Sequence, residues 1–391
     1  MNLVFFTHPS FLNSKSMPRF ALMLSAGMKE RGHQVELWSP HPRFFQVPFP
    51  AGMKKWLGYI DQFVVFPEEV RKRLKKCSPD TLFVFTDQAL GPWVPLVADR
   101  PHVIHCHDFL AQFSALGQIP ENPISWTGRH YQSLIRRGYS RGQFFISGSN
   151  KTRDDLHQFL PVFPQGSEVV YNGFNQRLEQ IDTEQARSLL ENETGITLSY
   201  GYLLHVGGNQ WYKNRTGVIE IYNAWRMLSG VQLPLLLVGL PPSDAIIKMR
   251  AKSPFKADIH FLSGLPDRSV QLAYAGATVF IFPSLAEGFG WPIAEAMAMG
   301  CPVITTNEEP MKDIAGKAGF LIPRRPYIDF KAEAWALAVA KVVDQVVKLT
   351  PEARQTAIEA GLLNAKRFDT RLALDKIEDI YHSIMQNAAV S

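Results

Sequence analysis

Short runs of β-branched and aromatic residues recur along this 391-residue chain, separated by stretches whose apolar positions fall three and four apart. The runs predict strands at Leu3–Phe6, Val35–Trp38, Thr81–Thr86, His102–His107, Gln143–Ile146 and Glu168–Tyr171. A second series predicts strands at Tyr202–Val206, Leu235–Val238, Ile259–Leu262, Thr278–Phe282, Pro302–Thr305 and Gly319–Ile322. Being apolar on both faces, these read as strands of a parallel sheet covered by helices. Strand and helix alternate within each series, which predicts a doubly wound α/β unit twice over. Each series opens alike, with helices expected at Met17–Glu30 and Thr216–Leu228 after its first strand. Helical patterns at Ala332–Leu349, Pro351–Arg367 and Arg371–Gln386 close the chain. The seam falls near Arg177–Thr183, just after a turn marked by Asn172-Gly173. The expected domains are therefore 1–180 and 181–370, with the final helix, 371–391, packing back on the first. Two such domains facing each other make a cleft, where small ligands usually sit.

Composition narrows the class. Apolar residues at 46% and charged residues at 20% exclude wholesale disorder. The net charge of +5 is uneven: residues 1–180 hold 20 basic and 14 acidic side chains, and the remainder 21 and 22. That excess suits an anionic surface but is too sparse for a dedicated nucleic-acid binder. Three scattered cysteines, Cys77, Cys106 and Cys301, argue against a disulfide framework or zinc module and fit a reducing cytosol. The amino terminus lacks the basic flank and apolar run of a signal peptide, and no run is long enough to span a bilayer. The expectation is a cytoplasmic protein, soluble or peripheral on the inner face of a membrane.

The most informative segment runs from Phe282 to Val303. A strand ends at Phe282, a loop with Gly288 and Gly290 follows, and a helix opens at Pro292, where the missing N–H of proline does no harm. Glycines let the backbone approach a ligand, and a helix start offers unpaired N–H groups with partial positive charge. That is an anion site, and a diphosphate is the obvious anion. Glu287 in the loop and Glu295 one turn into the helix offer carboxylates that accept hydrogen bonds from paired sugar hydroxyls. A second loop, His205-Val-Gly-Gly-Asn-Gln-Trp-Tyr-Lys-Asn-Arg, carries glycines from a strand into a helix.

The Glu-x₇-Glu spacing in its Glu-Gly-Phe-Gly context resembles the retaining nucleotide-sugar glycosyltransferases of family 4, whose fold is two facing Rossmann-like doubly wound domains (GT-B) with a cleft between them. The resemblance spans nearly the whole chain, strongly over residues 200–325 and loosely over residues 1–180. It implies that Glu287 lies beside the donor sugar and Glu295 holds the nucleotide ribose. It places Lys213 on the donor diphosphate, where an ammonium stabilises charge that grows as the glycosidic bond breaks. Gly208, Asn209 and Asn214 join the donor side by the same likeness, as do Gly288, Phe289 and Gly290, while the backbone near Leu265 reads the base. Many members carry an arginine where Gly208 stands, and Arg215 is the candidate replacement. His107, ending its strand, corresponds to a histidine beside the reacting sugar; His105 points the same way and reads as a core residue. Asp-x-Asp, the metal-holding pair of the other major glycosyltransferase architecture, is missing, so no metal and no cofactor is expected beyond a UDP- or GDP-linked sugar.

The acceptor side is less marked. The first strand-to-helix loop lacks the family's glycine pair, and Ser14, Lys15 and Ser16 are its weak candidates for a glycan or lipid-linked acceptor. Residues 44–76 combine aromatics with lysine and arginine, the composition of a segment that rests on anionic lipid, or else of a solvated helix face beside an aromatic loop. The rival readings are a sugar-nucleotide epimerase of the same shape and a non-catalytic sugar-nucleotide-binding protein. A Rossmann oxidoreductase is disfavoured because no Gly-x-Gly-x-x-Gly follows the first strand.

Overall fold

The computed structural model describes residues 1–11, 16–174 and 178–390. The chain forms two compact units, Met1–Asn175 with Thr370–Ser391, and Gln176–Asp369. In the first, β1 (Asn2–Phe6), α1 (Ser16–Glu30) and β2 (Gln34–Trp38) are followed by α2 (Ala51–Ile60), α3 (Phe66–Leu74) and β3 (Thr81–Phe85). Then come β4 (His102–Cys106), α4 (Leu110–Ala115), α5 (Trp126–Tyr139), β5 (Phe144–Ser147), α6 (Asn150–Phe159) and β6 (Gly166–Val169). The second unit opens with α7 (Thr183–Thr194), β7 (Leu203–Val206), α8 (Arg215–Leu228), β8 (Leu235–Gly239) and α9 (Asp244–Lys252). It continues through β9 (Ile259–Ser263), α10 (Asp267–Gly276), β10 (Val279–Phe282), α11 (Trp291–Ala298), β11 (Val303–Thr306), α12 (Met311–Ala315) and β12 (Phe320–Ile322). Helices α13 (Ala332–Val347) and α14 (Pro351–Ala365) complete it, and α15 (Thr370–Val390) returns to the first unit.

Each unit holds a six-stranded parallel sheet, ordered β2-β1-β3-β4-β5-β6 in the first and β12-β11-β10-β7-β8-β9 in the second. The chain reverses its direction of winding between β1 and β3, and again between β7 and β10. Such reversals open a crevice at the carboxyl ends of the strands, the usual ligand position in open α/β sheets.

Alternation along the strands builds two cores in the first unit. Val4 and Phe6 join Phe83, Phe85, Ile104 and Phe145 on one face, packed by α3 and α5. Leu3 and Phe5 join Leu82, Val84, Val103 and Ile146 on the other. That second face is covered by Phe20, Leu24 and Met28 of α1 and by Ala373, Leu374, Ile377, Tyr381 and Ile384 of α15, whose spacing is one helical stripe. Arg31 fixes α15 through Asp375 at 2.6 Å and Glu378 at 3.2 Å. In the second unit α8 and α13 supply Ile219, Tyr222, Trp225, Trp335, Val339 and Val343 to one continuous core.

Two expectations need correction. Val35–Trp38 was expected to be covered on both faces, yet β2 is an edge strand and Leu37 is exposed, because no neighbour lies beyond it. The aromatic stretch around Trp56 is helical: α2 passes through a π-helical turn, Asp61–Val65, straight into α3. Buried Asp61 anchors the preceding loop by accepting the backbone N–H groups of Arg43, Phe44 and Phe45 at 2.9–3.1 Å. The basic run that follows is the solvated side of α3, whose Phe66, Val70 and Leu74 face inward.

Helix α5 meets the proline-bearing 3₁₀ segment Gln88–Leu96 backbone to backbone. A Cβ on Gly138 would lie 2.0 Å from the carbonyl oxygen of Gly91, and one on Gly91 would lie 2.3 Å from that of Ile135. Backbone cannot yield as a side chain tip does. Gly138→Ala is therefore expected to destabilise the first unit by at least about 2 kcal/mol in urea unfolding; a loss below half that would show that the two segments separate easily.

Candidate active site

The loop after β7 passes through Gly207 and Gly208, makes a 3₁₀ turn at Trp211–Lys213 and enters α8 at Asn214. Asn214 has φ +50°, the one positive φ outside glycine among the described residues. Asparagine tolerates that conformation, and its short amide also does the capping. Its Oδ1 accepts the N–H of Gly217 at 3.2 Å, while its Nδ2 donates to the carbonyl of Pro283 at 3.0 Å in the loop after β10. The N–H of Leu285 donates back to Tyr212 at 2.7 Å. Thr306 Oγ1 donates to Ser284 and Arg324 Nε to Leu285, so residues 283–285 are held from three sides.

Between these loops Lys213 Nζ lies 2.8 Å from Glu287 Oε1, their side chains 14% and 8% exposed. The ammonium also sits 4.9 Å from the ring centroid of Phe282 and 5.4 Å from that of Tyr212. The lysine and the glutamate, 74 residues apart in sequence, thus meet where the winding of the second sheet reverses. Gly290, at φ +100°, starts α11, which turns at once into Trp291-Pro292. Phe289 is buried with its ring edge-on to Trp291 and Phe368, so its side chain anchors the loop.

Glu295, half-buried on α11, accepts a hydrogen bond from the hydroxyl of Tyr274 at 2.9 Å. Burial and the adjacent carboxylate push that phenol far above its usual range, so it stays a donor. Tyr274 escaped the sequence reading, since an aromatic at helical spacing carries no signal beyond core packing. Leu265 follows β9, half-buried, directly after Gly264 at φ +75°. Gly208 is half-buried and Asn209 exposed, its Nδ2 donating to Pro241 at 2.6 Å.

His107 lies in the first unit, at the end of β4. Its Nε2–H donates to the carbonyl of Thr86 at 2.8 Å, its ring is edge-on to Phe20, and its Nδ1 is buried without a partner. Burial pulls this imidazole below its usual range against the opposing pull of Asp87. His105 is bonded to Tyr381 Oη at 2.8 Å and burial takes it down to about 3, in keeping with a core residue. Sequence reading missed a pair at the first unit's own reversal: His8, after β1, donates from Nε2 to Asp87 Oδ2, after β3, at 2.8 Å. Burial alone would raise the Asp87 carboxyl, but the bond from His8 and the nearby imidazoles bring it below the ordinary carboxylate range. Neither residue sits in a motif; only the strand order brings them together. Ser14 and Lys15 lie outside the described residues, and Ser16 is the first residue of α1.

Among the described residues, one trio able to ligate a metal is His33, Glu378 and His382, with ligand atoms within 4.8 Å of one another. It lies at the amino end of β2, whereas His8 and Asp87 follow the carboxyl ends of β1 and β3, and Glu378 is already bonded to His33 and Arg31. It belongs to the docking of α15.

Residues 201–345 match the family described as "Glycosyl transferases group 1", and residues 17–177 match "Glycosyltransferase Family 4". The chain belongs to glycosyltransferase family 4. It is 32% identical over 123 residues to the O-antigen chain mannosyltransferase B of Escherichia coli, covering 31% of this chain and 32% of that protein. It is 23% identical over 253 residues to a D-inositol 3-phosphate glycosyltransferase of Corynebacterium glutamicum, covering 63% and 58%. The matched stretches thus span between about a third and three fifths of these two relatives. The solved structure of Anabaena Alr3699/HepE in complex with UDP and glucose has the same fold, with a TM-score of 0.71 at 18% identity over 98% of this chain and 100% of that one. The sucrose-phosphate synthase of Thermosynechococcus elongatus gives 0.73 at 17% identity over the full length of both. The GT-B architecture expected of a family 4 chain is therefore present as two Rossmann-like units.

Beneath the glycine loop, His205 donates from Nδ1 to Ile281 at 2.9 Å, and burial pulls it down to about 3. The unfolded chain takes up a proton near pH 6.5 that the folded chain refuses. Stability of the second unit therefore falls as pH drops through the window between about 6.5 and 3. Between pH 7 and 5.5 the loss from this histidine is roughly 1 kcal/mol. His205→Asn keeps a donor toward Ile281 and should lose that much less in urea unfolding over the same interval; an unchanged interval would mean that the imidazole is not held neutral.

Proposed function

We propose that this family 4 chain is a retaining glycosyltransferase, moving a hexose from a nucleoside-diphosphate sugar to a hydroxyl of a glycan or lipid-linked acceptor without a divalent metal. The observation that carries the reading is the Lys213–Glu287 bridge at the reversal of the second sheet. In the free protein each charge satisfies the other. An arriving diphosphate competes for the ammonium, and its release leaves the Glu287 carboxylate to accept hydrogen bonds from sugar hydroxyls. As the glycosidic bond breaks, negative charge grows on the departing phosphate, where Lys213 and the first-turn amides of α11 stabilise it more than the ground state. Glu295, oriented by Tyr274, takes the ribose hydroxyls. A fixed ammonium and helix amides do the work a metal does elsewhere, and the missing Asp-x-Asp agrees with that. Retention rests on the Glu-x₇-Glu likeness.

The Escherichia coli relative is named a mannosyltransferase, whereas the Anabaena protein was solved with UDP and glucose. Those names support a hexose as the transferred group and a nucleoside diphosphate as its carrier, UDP or GDP being the two carriers to test. His107 is assigned with Glu287 to the flanks of the donor sugar, and the first unit's strand ends around the His8–Asp87 pair to the acceptor. No helix among the described residues is long and apolar enough to cross a membrane. Lipid-linked acceptors nonetheless lie at bilayers, and α2 offers one contact: Trp56 is 49% exposed and Val64, in the π-helical turn, 60%. Lys54 and Lys55 directly precede Trp56, their ammoniums over the rings of Phe45 and Trp56. We assign that face to an anionic lipid surface, where interfacial tryptophan and lysine act together.

With a panel of UDP- and GDP-hexoses, release of the nucleoside diphosphate should depend on acceptor and persist in chelator. Lys213→Ala should lower kcat/KM by roughly 100- to 1,000-fold, and Glu295→Ala should raise the donor KM; wild-type rates in either variant remove the assigned role. Conversion of the donor sugar without acceptor would instead favour an epimerase, and binding without turnover a non-catalytic protein. In flotation at low salt the chain should rise with phosphatidylglycerol vesicles, and a Lys54→Ala, Lys55→Ala, Trp56→Ala triple variant should not. Equal behaviour of the two ends the lipid assignment.

A further inference from the structure

Arg215 is the first residue of α8 and is only 3% exposed. Its Nη1 donates to Asn209 Oδ1 at 2.7 Å and to the carbonyl of Leu240 at 3.0 Å, tying the loop after β7 to the loop after β8. Its Nε and Nη2 are buried and have no hydrogen-bond partner. No carboxylate lies within ion-pair distance among the described residues, and the guanidinium carbon is 5.9 Å from the ring centroid of Phe261. The neighbouring basic group, His205, is neutral. A buried charge without a counter-ion is costly, and proteins keep one where something else supplies the partner.

The electrostatics of the free site sharpen the point. Lys213 is already neutralised by Glu287. The uncompensated cation of the glycine loop is Arg215, sitting at the positive end of α8. A donor whose base meets Leu265, after β9, and whose sugar meets Glu287, after β10, has to cross the ends of β8 and β7, since these two strands lie between them in the sheet. Those are the two loop ends that Arg215 ties together.

We propose that Arg215 is a positioning residue for the donor diphosphate, drawing it onto the Gly207–Asn209 loop by its buried charge and holding that loop through Asn209. This inference rests on the nucleoside-diphosphate reading of the site. Because the two orphaned nitrogens are closed off from solvent, the charge acts on the diphosphate through the loop. It also answers the departure at Gly208: the cation is retained, but it enters from the helix start below the loop.

The test is calorimetric titration of the whole chain with UDP and GDP, with UMP, GMP and the two nucleosides as references. Wild type should bind one diphosphate more tightly than its monophosphate. Arg215→Gln keeps a donor toward Asn209 and Leu240 but loses the charge, and should weaken diphosphate binding roughly 10- to 100-fold with nucleoside binding unchanged. Arg215→Lys keeps the charge and should stay within a few-fold of wild type. Asn209→Ala should raise the donor KM with little change in kcat. Melting curves establish that each variant is folded. Equal diphosphate binding by wild type and a folded Arg215→Gln overturns the proposal, as does an equal loss in Gln and Lys variants, which marks a purely structural arginine. Should Gln fail to fold, wild-type donor KM in Asn209→Ala overturns it instead. Wild type that binds neither diphosphate defeats the underlying reading, a different failure.

Discussion

An ammonium and a carboxylate 2.8 Å apart hold together two loops that the chain makes 74 residues from one another. Lys213 and Glu287 meet because β7 and β10 are neighbours, and they are neighbours only because the second sheet reverses its winding between them. Largely removed from water, such a pair is stable only with good geometry and further partners. Phe282 and Tyr212 present ring faces to the ammonium, and backbone bonds through Asn214, Pro283, Tyr212 and Leu285 fix the loops independently of the charges. The salt bridge can therefore open toward a ligand without the frame coming apart. That separation of frame from charge makes the arrangement usable as a binding site.

The first unit solves the same topological problem with a different pair. His8 and Asp87 close its reversal point between β1 and β3, and Asp87 also caps the 3₁₀ segment Gln88–Leu96 by accepting from Ala89. Gln88 then bonds the backbone N–H of His107. One buried carboxylate so organises the ends of three strands. In both units burial keeps the deeper histidines neutral, His105 and His205 among them, leaving the charged chemistry to side chains at the strand ends.

Charge in this chain is informative where it lacks a partner rather than where it is dense. The basic run at residues 71–76 is the solvated last turn of α3 and the residues just past it, and Arg71 and Arg43 pair with Glu68 and Glu69. Arg215, a single residue in no charged run, is buried with two nitrogens unsatisfied. Composition reports the first and is silent about the second.

The sequence alone determined the architecture: strands buried on both faces must be apolar throughout, helices must show a 3.6-residue stripe, and turn glycines mark the loops. It also determined the local form of the loops after β7 and β10, because a glycine at a helix start and an asparagine before one have few other uses. Only the tertiary structure decided which distant side chains share a loop end. The strand order pairs Lys213 with Glu287 and His8 with Asp87, and the packing of α10 against α11 delivers Tyr274 to Glu295. It likewise turned Phe289 inward, left Leu37 exposed on an edge strand and buried Arg215. Local pattern records which face a residue occupies within its own element. Partners are set by which elements become neighbours, and in a parallel sheet whose winding reverses, the neighbours are far apart in sequence.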